Sequence, residues 1–98
     1  MSLTAKQKRH LRALAHPLKP VVLVGNAGIS DGVIAEIDSS LTHHELIKVR
    51  LGGLEREDRK QAIDAICQKT GSELVSSIGH IAILFRASED KRIPLPRG

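Results

Sequence analysis

Apolar residues recur at helical spacing in three stretches of this chain and crowd into short runs in four others. The first helical stretch covers residues 4–16, with Gln7, Leu11, Leu14 and Leu18 on the inner side and Lys8, Arg9 and Arg12 pointing away. Thr4 and Gln7 have capping-box spacing, and Pro17 stops the helix because the residue before a proline is driven out of α geometry. Pro20-Val21-Val22-Leu23-Val24 reads as a strand covered on at least one face. A second helix is expected from Ser30, a good N-cap, to about His43, along the apolar line Val33, Ile34, Ile37 and Leu41. Residues 45–51 then alternate, placing Ile47, Val49 and Leu51 on one face of a strand and Leu46, Lys48 and Arg50 on the other.

The third helix, residues 55–70, has strong end signals. Glu55, Glu57 and Asp58 lie in its first turn, Lys69 in its last and Gly71 just beyond, each suited to the helix dipole or the left-handed cap. Ala62, Ile63, Ile66 and Thr70 form its inner line. Strands over 72–78 and 81–86 flank Gly79-His80, a hairpin turn. Residues 87–98, with Pro94 and Pro96, predict an extended or frayed tail. The order α-β-α-β-α-β-β predicts one α/β domain over residues 1–98, two-layered, with a sheet made mixed by the final hairpin.

Composition narrows what such a domain can do. Phe85 is the one aromatic residue among 98, so no set of rings exists on which to stack bases. A polyanion would have to be held through phosphates and sugars. Cys67 stands alone, which excludes an intrachain disulfide and fits a reducing cytoplasm. No apolar run approaches the roughly 18 residues of a membrane span, and residues 1–7 lack the apolar stretch of a secretion signal. A cytoplasmic location without a membrane partner is the expectation. The net charge of +4 hides a segregation: no acid precedes Asp31, leaving Lys6, Lys8, Arg9, Arg12 and Lys19 unopposed, and Lys91, Arg92 and Arg97 form a second basic set. Segregated positive charge favours nucleic acid or an anionic membrane, while a merely solvated face is the alternative.

The chemistry concentrates at Gly25-Asn26-Ala27-Gly28. A strand there delivers two glycines to the mouth of a helix, where bare amides and the helix dipole favour an anion such as phosphate. KH domains clamp a nucleic-acid backbone with a loop of this form. The pattern also occurs in ordinary turns, and neither the Gly-Lys-Ser/Thr of a nucleotide loop nor a third Rossmann glycine follows. Lys48 and Arg50, with Arg86, extend a basic surface if the helices cover only one sheet face; otherwise they are solvated positions. His43 and His44 are adjacent and point about 100° apart, suiting a helix end rather than a metal. His10 and His16 show no ligand spacing, and His80 at the hairpin tip is within reach of a bound RNA. Cys67 reads as a small core residue, and Glu55, Glu57 and Asp58 as dipole compensation. No base, nucleophile or metal set is visible, so neither an enzyme nor a cofactor is expected.

The run His16-Pro17-Leu18-Lys19-Pro20-Val21-Val22-Leu23-Val24-Gly25-Asn26-Ala27-Gly28-Ile29-Ser30 resembles the signature of the CRM domain, named for chloroplast RNA splicing and ribosome maturation. Glu36-Ile37, His44-Glu45-Leu46-Ile47-Lys48-Val49, Ile78-Gly79 and Leu84-Phe85-Arg86 continue it, over about residues 3–97. The stand-alone bacterial YhbY-like form is the nearest in layout. The resemblance implies a four-stranded mixed sheet similar to the C-terminal domain of translation initiation factor 3. It also implies binding of structured RNA and association with precursors of the large ribosomal subunit. The family's GxxG loop maps onto Gly25–Gly28, and many members carry lysine where this chain has Asn26. That departure shifts the burden to Lys8, Arg9, Arg12 and Lys19. The expectation is a non-catalytic protein that grips ribosomal RNA by its backbone, with ribosomal-protein contacts as a further partner class. A module that docks on a ribosomal protein or assembly factor is the alternative.

Overall fold

The first helix begins as its spacing predicts: the Thr4 hydroxyl accepts from the Gln7 amide at 3.1 Å, and the Gln7 side chain accepts from the Thr4 amide at 3.0 Å. A computed structural model describes residues 2–25 and 28–97. In it the chain runs α1 (Ala5–Ala15), β1 (Pro20–Val24), α2 (Asp31–His44), β2 (Leu46–Leu51), α3 (Arg56–Thr70), β3 (Glu73–Ile78) and β4 (Ile81–Phe85). Ser30 caps α2 through its side chain, and Gly71 closes α3 in the left-handed conformation.

The four strands form one mixed sheet in the order β1-β2-β4-β3, as the α/β reading requires. β1 pairs parallel with β2, and β4 lies antiparallel between β2 and β3. β1, β2 and β3 therefore point the same way, and the turns that follow them share one edge of the sheet. Three glycine-bearing turns lie there: the β1–α2 loop, Gly52-Gly53 and Gly79-His80.

α2 and α3 cover one face. Ile37, Leu41, Ile63 and Ile66 pack there against Val22, Val24, Ile47, Val49, Leu51, Ala82 and Leu84, the alternate positions of three strands. α1 lies on the other face, an addition to the two-layer arrangement. Its contact line is Leu11 and Ala15, packed on Leu46, Val75, Ile83 and Phe85. Leu14 and Leu18, expected on the inner side, are instead 43% and 40% exposed. The sheet residues Leu46, Val75, Ile83 and Phe85 meet Leu11 and Ala15, and the tail adds to that side: the Gln7 side chain donates to the Pro96 carbonyl at 3.0 Å, and Ile93 and Leu95 join the α1 cluster. The Gln7–Leu11–Ala15 side of the helix thus faces inward.

The tail has no helix or strand, yet it is tied down rather than frayed. Glu45 sits between α2 and β2 at φ 65°, fully buried. Its carboxylate accepts from the amides of Ser88 at 2.9 Å, Arg92 at 3.1 Å and Ile93 at 3.0 Å, and from the Ser88 hydroxyl. Burial alone would push this carboxyl up; the four hydrogen bonds outweigh it and bring it from an ordinary 4.5 down to about 2. The Arg92 guanidinium reaches the His43 carbonyl at the negative end of α2. Arg86 is likewise structural: it meets Asp38 at 2.5 Å, the Thr42 hydroxyl at 2.9 Å and the Thr70 carbonyl at 2.7 Å, locking α2 to the end of α3. It does not join Lys48 and Arg50, because its side chain turns to α2 and α3, which cover the opposite sheet face.

Replacing Glu45 by alanine strands three amides and releases the tail, so denaturant unfolding should show a loss of about 2–3 kcal/mol. The acid limb of stability has a definite sign. Because folding lowers the carboxyl from 4.5 to about 2, its contribution is complete above pH 4.5 and lost as pH falls towards 2. Glu45→Gln should flatten that part of a stability–pH curve.

Candidate nucleic-acid interface

Glycine is needed at the two ends of the β1–α2 loop for different reasons. Gly28 has φ +82°, a conformation that side chains disfavour, and its amide closes a turn onto the Gly25 carbonyl at 3.0 Å. Gly25 has no such backbone demand, and a Cβ built on it meets nothing within 4 Å. The fold itself therefore leaves the space over Gly25 open. Asn26 and Ala27, the central residues of the expected clamp, lie outside the described residues. Ser30 takes up the Val33 amide at 3.1 Å, and Asp31 places a carboxylate in the first turn of α2. The loop's capacity for phosphate thus depends on cations brought from elsewhere.

β2 supplies the nearest one. Arg50 is exposed and shares a cleft with Leu23, Gly25, Gly52 and Gly53. The Gly52 amide donates to the Val24 carbonyl at 3.0 Å, and the Leu51 amide to the His80 carbonyl at 2.8 Å, which stitches the three turns together. A second groove brings Arg9, Arg12 and His16 of the α1 region against Lys48, Ile78 and Ile81. Lys48 is half-buried and donates to the His16 carbonyl at 3.2 Å, so it caps α1 while its charge faces the groove. Lys8 stands with Arg9 and Arg12 where α1 meets β3. Lys8, Arg9, Arg12, Lys19 and Arg50 are all exposed. Among the described residues, the ion pairs are Arg86–Asp38 and Arg92–Asp90, and neither involves these cations.

Not every expected residue converges. Lys19 lines a separate, apolar groove with Leu14, Leu18, Val21 and Ile93. On a helical wheel Leu14 lies about 160° from Arg12, so α1 separates the two grooves. The His80 ring rests 3.2 Å from the Leu51 carbonyl and 3.4 Å from Arg59, on the α3 side of the sheet edge. Cys67 is packed against the main core; burial pushes its thiol up, the charges of Asp64 and Glu73 act in the same sense, and a Ser72 hydrogen bond opposes them. This is the opposite of what activates a nucleophile. Sequence reasoning missed Leu23 and Ile78, which are 70% and 60% exposed beside these cations. For Leu23 the strand position could have signalled it, since it alternates with the core residues Val22 and Val24; Ile78 has no core neighbour in the chain and gave no such signal.

Known proteins are similar to this chain in sequence and in fold. A protein of Haemophilus influenzae named RNA-binding protein is 49% identical over 96 residues, spanning 98% of this chain and 97% of its own length. The chloroplastic group IIA intron splicing facilitator CRS1 of maize is 30% identical over 94 residues, and the match occupies 13% of that longer protein. The solution structure of the Staphylococcus aureus protein SAV1595, described as a candidate RNA binder, superposes with a TM-score of 0.84 at 42% identity. That superposition covers 97% of this chain and all of SAV1595. The family model of the CRS1 / YhbY (CRM) domain matches residues 3–86, which takes in every helix and strand described above. With a family model that spans residues 3–86 and a relative 49% identical over 98% of this chain, this chain belongs to the CRS1 / YhbY (CRM) domain family.

Proposed function

We propose that this chain is a non-catalytic RNA-binding protein that holds the RNA backbone along the glycine edge of its sheet and the adjoining side of α1. One observation carries the reading: Arg9, Arg12 and Lys48 line one groove and Arg50 lines the cleft that holds Gly25, none of them with a carboxylate partner among the described residues. The names of the relatives support RNA as the polyanion. Family resemblance points further, to ribosomal RNA in precursors of the large subunit, met in the cytoplasm. Backbone amides near Gly25 would donate to phosphate oxygens while the α1 cations neutralise the charge, with Lys8 extending the contact at one end.

The apolar groove of Leu14, Leu18, Val21 and Ile93 favours a second reading, in which Lys19 borders a docking site for a ribosomal protein or assembly factor. Nuclease treatment separates the two: capture of ribosomal particles that survives digestion of the RNA would favour the docking module.

With roughly 4–6 phosphates neutralised, log affinity for large-subunit RNA should fall against log salt with a slope of about −3 to −5. Reversing Arg9 and Arg12 to glutamate should weaken binding and make that slope shallower by about 2. Gly25→Asp keeps the fold, since the added side chain enters open space, and should cost about tenfold in affinity or more by setting a carboxylate against phosphate. A flat salt response, or a folded Gly25→Asp protein binding like wild type, would contradict the mechanism.

A further inference from the structure

The end of the second sheet face nearest the glycine turns is uncovered, and its composition is specific. Registry places Leu23 beside Arg50, Arg50 beside Ile81 and Ile81 beside Ile78, so one row crosses all four strands. Paired neighbours share a face, and this is the face on which α1 covers Leu46, Ile83 and Phe85 farther along the strands. α1 stops short of the row. Leu23 is 70% exposed and Ile78 60%. At about 4.8 Å between strands the row is roughly 14 Å long, with cations from α1 and β2 on one side and Gly25 and Gly52 on the other.

Apolar side chains left in water at this density call for a partner with apolar surface. The surrounding charge limits what that partner is. Arg9, Arg12, Lys48 and Arg50 favour an anion, so the ligand must present flat apolar faces and regular negative charge together. An unpaired stretch of RNA does this; a duplex hides its bases in the stack and offers only backbone. Guanidinium planes stack on bases, and leucine or isoleucine side chains pack against unstacked ones. The lack of aromatic residues therefore does not deprive the protein of a base-binding surface, because aliphatic side chains and one arginine take the place of the rings.

We propose that Leu23, Arg50, Ile81 and Ile78 form a shelf for about two unpaired bases of an RNA whose phosphates are held by the flanking cations and the glycine edge. The inference rests on the RNA-binding reading above and adds the kind of RNA, one with a looped or single-stranded segment.

The test compares an unpaired RNA oligomer with a blunt RNA duplex of equal charge, using wild type and Leu23→Ser/Ile78→Ser. Both substituted positions are exposed, and circular dichroism verifies the fold. Wild type is expected to favour the unpaired oligomer by about tenfold, ~1.4 kcal/mol, and the double variant to lose most of that preference. Binding of both RNAs by wild type with no preference, with a preference for duplex, or with a preference the variant keeps would overturn the shelf and leave the RNA-binding reading standing. If wild type binds neither RNA, the RNA-binding reading falls, and the shelf with it.

Discussion

The buried carboxylate of Glu45 fixes the arrangement on which everything else rests. A residue at φ 65° in a buried junction is strained, by roughly 1–3 kcal/mol for a side chain other than glycine. The four donors from the tail hold it there. In return the tail is drawn across the sheet, where Ile93 and Leu95 pack beside α1 and Pro96 engages Gln7. That packing joins the contacts of Leu11 and Ala15 with the sheet, which cover part of the face and leave the rest open. A charge at the junction of α2 and β2 is thereby tied to the boundary of a surface formed largely by other elements.

That boundary divides the second face in two. Its covered part, under Leu11 and Ala15, is a small second core that anchors α1. Its uncovered part joins the glycine turns, where the parallel strands end and where ligands commonly meet open α/β sheets. Long, solvated cations stand on the near wall and bare backbone on the far one. Arg86 and Arg92 belong to neither wall, since their guanidinium groups serve Asp38, Thr42, Thr70 and His43. Arg86 and Arg92 thus fasten the fold, Arg9, Arg12 and Arg50 face the grooves and Lys48 does both, a division that net charge cannot show.

The sequence made some of this legible. α2 and α3 follow from the lines Val33–Ile37–Leu41 and Ile63–Ile66–Thr70, because each helix buries one stripe against one sheet face. Ser30, Gly71 and the Thr4–Gln7 pair mark helix ends through local hydrogen bonds, which depend on few distant residues. The side on which α1 packs was not legible. Leu14 and Leu18 satisfy helical periodicity as well as Ala15 does, and the choice rests on distant sheet residues, Leu46, Val75, Ile83 and Phe85, on which Leu11 and Ala15 pack. Glu45 read as the first residue of a strand because nothing local announces a carboxylate that gathers amides from residues 88–93. Arg86 looked like an exposed strand residue for the same reason. The glycine loop stood out in the sequence, whereas the shelf beside it needed the register of four strands.

Amide chemical-shift mapping during titration with large-subunit RNA tests the central claim most directly, since it reports every element at once. The account predicts that Gly25, Gly28, Arg50, Gly52 and Ile81 shift together with the Arg9–Arg12 turn of α1, while α2 and α3 beyond their first turns stay still. Shifts confined to the outer surface of α2 and α3, or to the Leu14–Leu18 groove with the glycine edge silent, would contradict it.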